Sequence, residues 1–238
     1  MTKKITVVFI LLLVTGIFSF AQNTAYEYYT SALINDSLKD DVAAMHDIDN
    51  ALRVKPDYDS ALCFLGTMNL KNENYKDAIK LYDKVIKLND KYFEAFYGRA
   101  CCKAQLQDYP GAIKDYNKAI VLNSKHAKSF YNRALAKGFM EDYPSAITDL
   151  DNAITLDDKY ISAYYSRAFW KDISGDYNGA VSDYKKVITL DPTYREAYMG
   201  LATAMYQHGD KTEACEVLKT AAYRGSIMAE ELINKLCE

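Results

Sequence analysis

From Tyr177 to Ile188 the apolar residues Tyr177, Ala180, Val181, Tyr184, Val187 and Ile188 fall at i, i+3, i+4, i+7, i+10 and i+11, one face of a helix. A second amphipathic pattern precedes this one within Ile161–Tyr194, and Gly175-Asp176 separates the two. The same arrangement recurs without insertion in windows 25–58, 59–92, 93–126, 127–160, 161–194 and 195–228, each 34 residues long. A fixed period of this kind means one structural unit repeated, with each copy packed only on its neighbours. The spacing therefore predicts an all-α chain, two helices per window, over residues 22–238.

Numbering slots from the start of each window, the eighth reads Ala32, Gly66, Ala100, Ala134, Ala168, Ala202 and the twentieth reads Ala44, Ala78, Ala112, Ala146, Ala180, Ala214. Small residues at fixed points on two successive helices let their backbones approach, so each window is expected to be an antiparallel pair. The sixteenth slot, Asp40, Asn74, Asp108, Asp142, Asp176 and Asp210, supplies an N-cap for each second helix. Pro110 and Pro144 follow two residues later, in the first turn, where a missing N–H costs nothing. Lys55-Pro56, Asn89-Asp90, Asn123-Ser124, Asp157-Asp158 and Asp191-Pro192 close the windows and are expected to cap the next one. After the sixth window, Met228, Leu232 and Leu236 are spaced by four, which predicts a cap helix over 227–237 with one face docked and one in water.

The small residues at the eighth and twentieth slots, the aromatic Tyr82, Tyr116 and Tyr184 at the twenty-fourth, and Lys55-Pro56 and Asp191-Pro192 at unit ends resemble the tetratricopeptide repeat (TPR) family across residues 25–228. The resemblance implies a right-handed superhelical solenoid of helix pairs, whose concave groove holds peptides or partner proteins. Carried over slot by slot, it places Tyr29, Leu33, Tyr97, Tyr131, Leu135, Phe139, Tyr165 and Phe169 in that groove. The alternative for the tyrosines is packing between repeats. The family's carboxylate-clamping Lys and Asn slots are aromatic here, which argues against recognition of a terminal carboxylate.

Charge and composition narrow the picture further. A formal charge of -3 gives no basis for nucleic-acid binding, which needs clustered Lys and Arg. Lys3 and Lys4 precede an apolar run from Ile5 to Phe20, and Ser19-Phe20-Ala21 supplies small residues before a cut ahead of Gln22. Residues 1–21 thus read as a signal peptide and the protein as exported, periplasmic or secreted. The alternative is a membrane anchor through residues 5–20, and only then would the chain touch a membrane.

The seventh slot reads Ser31, Leu65, Arg99, Arg133, Arg167, Leu201 and the twenty-third reads Asp47, Leu81, Asp115, Asp149, Asp183, Val217. Arg and Asp occur together in three windows, and two windows replace both with aliphatic residues. This joint exchange predicts structural pairs Arg99–Asp115, Arg133–Asp149 and Arg167–Asp183, because an unpaired half-buried charge is costly while replacing both is tolerated. Lys103, Lys137 and Lys171 form a further column that reads as a solvated face, with ligand contact as the alternative. Trp170 occupies a core or inter-repeat slot. Cys63, Cys101 and Cys102 lie within helices as small hydrophobes, while Cys215 and Cys237 flank the Arg224-Gly225 turn at similar distances and could form a disulfide that staples the cap.

His46, His126 and His208 are scattered, and no metal-ligand, phosphate-loop or nucleophile motif occurs. The expectation is a non-enzymatic scaffold without cofactor or metal, monomeric, with a protein or peptide partner. Two other readings stay open: a structural subunit of a cell-envelope assembly that uses its convex face or edges, and a glycan-binding protein or enzyme with tyrosines as a stacking platform.

Overall fold

The computed structural model describes residues 24–237; the leader or anchor expected at residues 1–21 lies outside them. Thirteen helices and no strands occur among the described residues. They are α1 (24–37), α2 (Asp41–Val54), α3 (Asp59–Lys71), α4 (Tyr75–Leu88), α5 (Phe93–Gln105), α6 (Tyr109–Leu122), α7 (Ala127–Phe139), α8 (Tyr143–Leu156), α9 (Ile161–Ile173), α10 (Tyr177–Leu190), α11 (Arg195–His208), α12 (Lys211–Tyr223) and α13 (Ile227–Leu236). The all-helical solenoid of helix pairs predicted from the period is the fold observed. No described helix is long and apolar enough to cross a membrane.

The helices form two compact units that divide after Leu106. In the first, α3 packs on α2, α4 and α5. In the second, each helix from α6 to α13 packs on the next, and α9 also touches α7 and α11. Alanine makes this spacing possible: all six twentieth-slot alanines are fully buried. Larger side chains then fill the gaps between helices. Tyr82 and Tyr184 are buried against Gly98 and Gly200, where an added Cβ would collide with the ring.

Capping differs in part from the sequence expectation. Asp40, Asp108, Asp142 and Asp176 each accept from the backbone N–H three residues on, but Asn74 and Asp210 make no such bond, and Asp210 faces the His208 ring at 2.8 Å instead. The residues that close the windows do not cap the next helix. Asn89, Asn123, Asp157 and Asp191 accept from the N–H two residues on, a local turn that competes with capping. The N-cap positions themselves are Tyr58, Tyr92, His126, Tyr160 and Tyr194, none with a side-chain cap bond.

One backbone feature carries no strong composition signal. The residue before the sixteenth slot is left-handed: Lys39, Glu73, Gln107 and Glu141 at φ 61–63°, then Gly175 at 87° and Gly209 at 109°. Four repeats thus hold a side chain in a region that only glycine enters freely.

At the C-terminal end α13 lies on α12, with Ala229 buried beside Tyr198, Leu218 and Ala221. Cys215 on α12 and Cys237 are joined as a disulfide with Cα atoms 5.7 Å apart.

Candidate functional site

The expected Arg–Asp pairs can be followed repeat by repeat. Asp149 is buried, and Arg133 on α7 donates to it through Nε at 2.8 Å and Nη2 at 2.5 Å. Asp183 takes the same two bonds from Arg167 on α9, at 2.8 and 2.6 Å. Burial works against the Arg167 charge, yet Asp183 and Asp151 hold its pKa above the usual value. In the first unit Arg99 donates to Asp83 at 2.6 Å; Asp115, the partner expected from sequence, is a buried residue of α6 in the second unit.

Three further layers surround these pairs, and the sequence reading missed them. The lysine column is not a solvated face: Lys137 reaches Asp149 at 2.8 Å and Lys171 reaches Asp183 at 2.9 Å, so each of these carboxylates faces two cations. Each arginine also bonds a residue of the preceding repeat, Arg133 to Asn117 and Arg167 to Asp151, both at 2.6 Å. The guanidinium carbons lie over Phe96, Phe130 and Tyr164, 5.4–5.6 Å from the ring centres. The first repeat, where the seventh slot is Ser31, fills the same place with neutral donors: Ser31 and Asn35 both donate to Asp47, at 2.5 and 2.9 Å. The spacing of the eleventh slot against the twenty-third was the available signal.

The tyrosine column has a double character. In the first unit Tyr29 meets Tyr58 and Phe64 at 5.3 and 6.5 Å, and Tyr97 stacks on Phe93 at 6.0 Å. In the second, Tyr131 meets Tyr160 at 5.0 Å, and Tyr165 meets Tyr194 and Tyr184 at 5.1 and 5.7 Å. These rings are half-buried, and Tyr29, Tyr131 and Tyr165 are each tied to the tyrosine that opens the next repeat's first helix. Burial raises the pKa of Tyr29, Tyr165 and Tyr194, and pushes Tyr92 and Tyr160 up to about 12, so all are neutral hydroxyls at physiological pH. A tyrosine so held offers ring surface and a hydroxyl with little side-chain entropy left to lose.

Beside the tyrosines the apolar positions are open. Phe139 is 60% exposed, Leu33 41% and Phe169 40%, while Leu135 is half-buried. Phe139 stacks on Tyr109 at 5.3 Å, and Phe169 meets Trp170 edge to face at 4.8 Å. Trp170 is a packing residue: its ring covers Gly138, where a Cβ would strike the indole, and its buried N–H has no acceptor among the described residues. Cys63 and Cys102 are buried thiols whose pKa burial pushes up to about 12, which makes them poor nucleophiles. No group of His, Cys, Asp and Glu among the described residues is arranged to hold a metal.

Tetratricopeptide repeat models match residues 43–92, 65–127 and 196–224, and a TPR repeat model matches residues 173–209. A crystal structure of MamA is 25% identical over 74% of this chain and 94% of its own, with a TM-score of 0.66. YrrB, described as a TPR protein with an unusual peptide-binding site, is 18% identical over 79% and 98%, with a TM-score of 0.71. The Pseudomonas aeruginosa protein pilF is 15% identical over 90% and 99%, with a TM-score of 0.76. The last two likenesses concern the fold alone. No curated protein matches the chain in sequence.

Proposed function

The chain belongs to the tetratricopeptide repeat family, and we propose that it is an exported, non-catalytic scaffold that holds a peptide or protein segment on the tyrosine-rich face of its first helices. The observation that carries this reading is the second unit's combination of anchored and open aromatics. Tyr131 and Tyr165 are fixed by ring contacts while Phe139 and Phe169, on the same helices, remain exposed. Preformed helices that present such rings spare the protein most of the ordering cost of binding. The peptide-binding description of YrrB supports the same class of partner.

Export rests on the apolar leader pattern, and the Cys215–Cys237 disulfide supports it, since disulfides persist in oxidising compartments. An N-terminus at Gln22 in protein from native cells would agree with export; an intact Met1 or Thr2 would favour the anchor.

The test of binding is a crosslinked pull-down with wild type beside Phe139→Ala/Phe169→Ala. These exposed rings can be removed with less damage to packing than the tyrosines. Loss of the partner in the variant is the expected result, and a partner retained in both would move the function to another surface.

One observation favours the second reading, an assembly subunit that uses an edge. The tenth slot is buried as Met68, Cys102, Ala136, Trp170 and Ala204, yet Ile34 on α1 is 59% exposed, with Leu38 and Val42 exposed nearby. An apolar residue left open where its counterparts are covered marks an end at which another chain could stack.

A further inference from the structure

Two aspartates occupy the twelfth slot, Asp36 on α1 and Asp172 on α9, and the structure treats them differently. Asp36 accepts from Lys71 Nζ at 2.8 Å, a lysine at the thirteenth slot of the following repeat. One repeat after Asp172 that slot is Gln207, which carries no charge. The Asp172 side chain is half-buried, and its carboxylate makes no hydrogen bond or ion pair among the described residues. Leaving a half-buried carboxylate without a donor is unfavourable, and burial accordingly raises its pKa.

Its surroundings define what would satisfy it. On α9, Tyr165, Phe169 and Asp172 are spaced i, i+4 and i+7, so one stripe runs from a tyrosine through an open phenylalanine to the carboxylate. Asp172 lies close enough to the buried Tyr184 hydroxyl to oppose its ionisation. From α11 a second carboxylate, Glu196, adds a negative charge near Tyr165. The lysines of α7 and α9 nearest in sequence are engaged, Lys137 with Asp149 and Lys171 with Asp183. The stripe is therefore aromatic and acidic, with its own cations turned to other partners.

We propose that Asp172 is the cation-accepting point of the binding face, and that it receives a lysine or arginine side chain of the bound segment while Phe169 covers the alkyl stem. An alkylammonium or guanidinium gains a charge-assisted bond to the carboxylate and a ring face beside it. The inference rests on the peptide-binding reading above and deepens it: the partner segment is basic and flanked by apolar residues.

The test uses the full chain, immobilised, and three dye-labelled heptapeptide libraries. Their central residue is lysine, acetyl-lysine or glutamate, and their flanks are randomised among Ala, Leu, Phe, Pro, Gly and Ser. Retention of the lysine library should exceed that of the acetyl-lysine library by roughly tenfold, the size of one charge-assisted bond. Asp172→Asn, which keeps the shape of the side chain and whose folding is checked by circular dichroism, should bring the two libraries level. Equal retention of all libraries by wild type would overturn the cation site and leave the peptide reading standing. A lysine preference that survives in Asp172→Asn would overturn the assignment to this residue. Retention of no library would overturn both readings.

Discussion

The fourth and sixth repeats fill the same interior position with opposite chemistry. Between α7 and α8 it holds Arg133, Lys137 and the buried carboxylate of Asp149. Between α11 and α12 the equivalent residues are Leu201, Met205 and Val217, of which the first two are buried. The helices around them have the same lengths to within a residue, 13 and 14 against 14 and 13. The position is thus a volume to be filled rather than a charge to be kept. What it demands is a matched set, since a buried carboxylate without its cations costs more than a well-packed aliphatic group.

The sharpest way to break this equivalence is Asp149→Leu. It strands Arg133 and Lys137, and it should cost about 3–5 kcal/mol in urea unfolding. The triple change Arg133→Leu/Lys137→Met/Asp149→Val copies the sixth repeat and should recover most of the loss. If the triple variant is no better than the single one, the two interiors are not interchangeable.

The sixth repeat also depends on a covalent link that the fourth lacks. Replacing Cys215 and Cys237 with serine opens a loop of separation 22 and should cost about 3 kcal/mol under non-reducing conditions. Adding a reductant to wild type should give the same shift.

A smaller contrast lies at the helix starts. Asp142 accepts from Ser145 N–H at the start of α8, whereas Asp210 makes no cap bond at the start of α12. Asp142→Ala is expected to lower stability by about 1 kcal/mol and Asp210→Ala by a few tenths or less. Equal losses in thermal melts would show that the cap bond is not the source. The smallest effect belongs to the turn, where Glu141 has φ 62° and Gly209 has φ 109°. Glu141→Gly should raise stability by about 0.5 kcal/mol, because relief of the left-handed strain outweighs the added chain entropy; a loss would mean the Glu141 side chain makes a compensating contact.

The period, the small residues and the breaks between helices sufficed to place every described helix, because close approach of two helices permits little but alanine and glycine at the crossing. The seventh and twenty-third slots were legible as a pair through their joint exchange. Lys137 and Lys171 were misread because a charged column looks like a solvent face until the carboxylate opposite is located in space. Arg133's bond to Asn117 and Arg167's to Asp151 join different repeats, and no rule of spacing within a repeat would find them. Asp172 was passed over for a related reason: its distinction is the absence of a lysine in the next repeat, visible only once Asp36 and Lys71 are seen together.

The bonds between repeats bear on how such a chain can be rebuilt. Arg167 needs an acceptor at Asp151 in the repeat before it, and that position in the fifth repeat is Lys185. A copy of the fourth or fifth repeat grafted after Leu190 would bring its arginine against Lys185, cation to cation. The native successor brings Leu201 there instead. Insertion of a duplicate of the fourth repeat after Leu156 meets no such conflict, because Asp151 of each copy then faces the arginine of the repeat that follows. The array therefore has a permitted place to grow and a forbidden one, and recombinant lengthening of this protein should succeed only at the first.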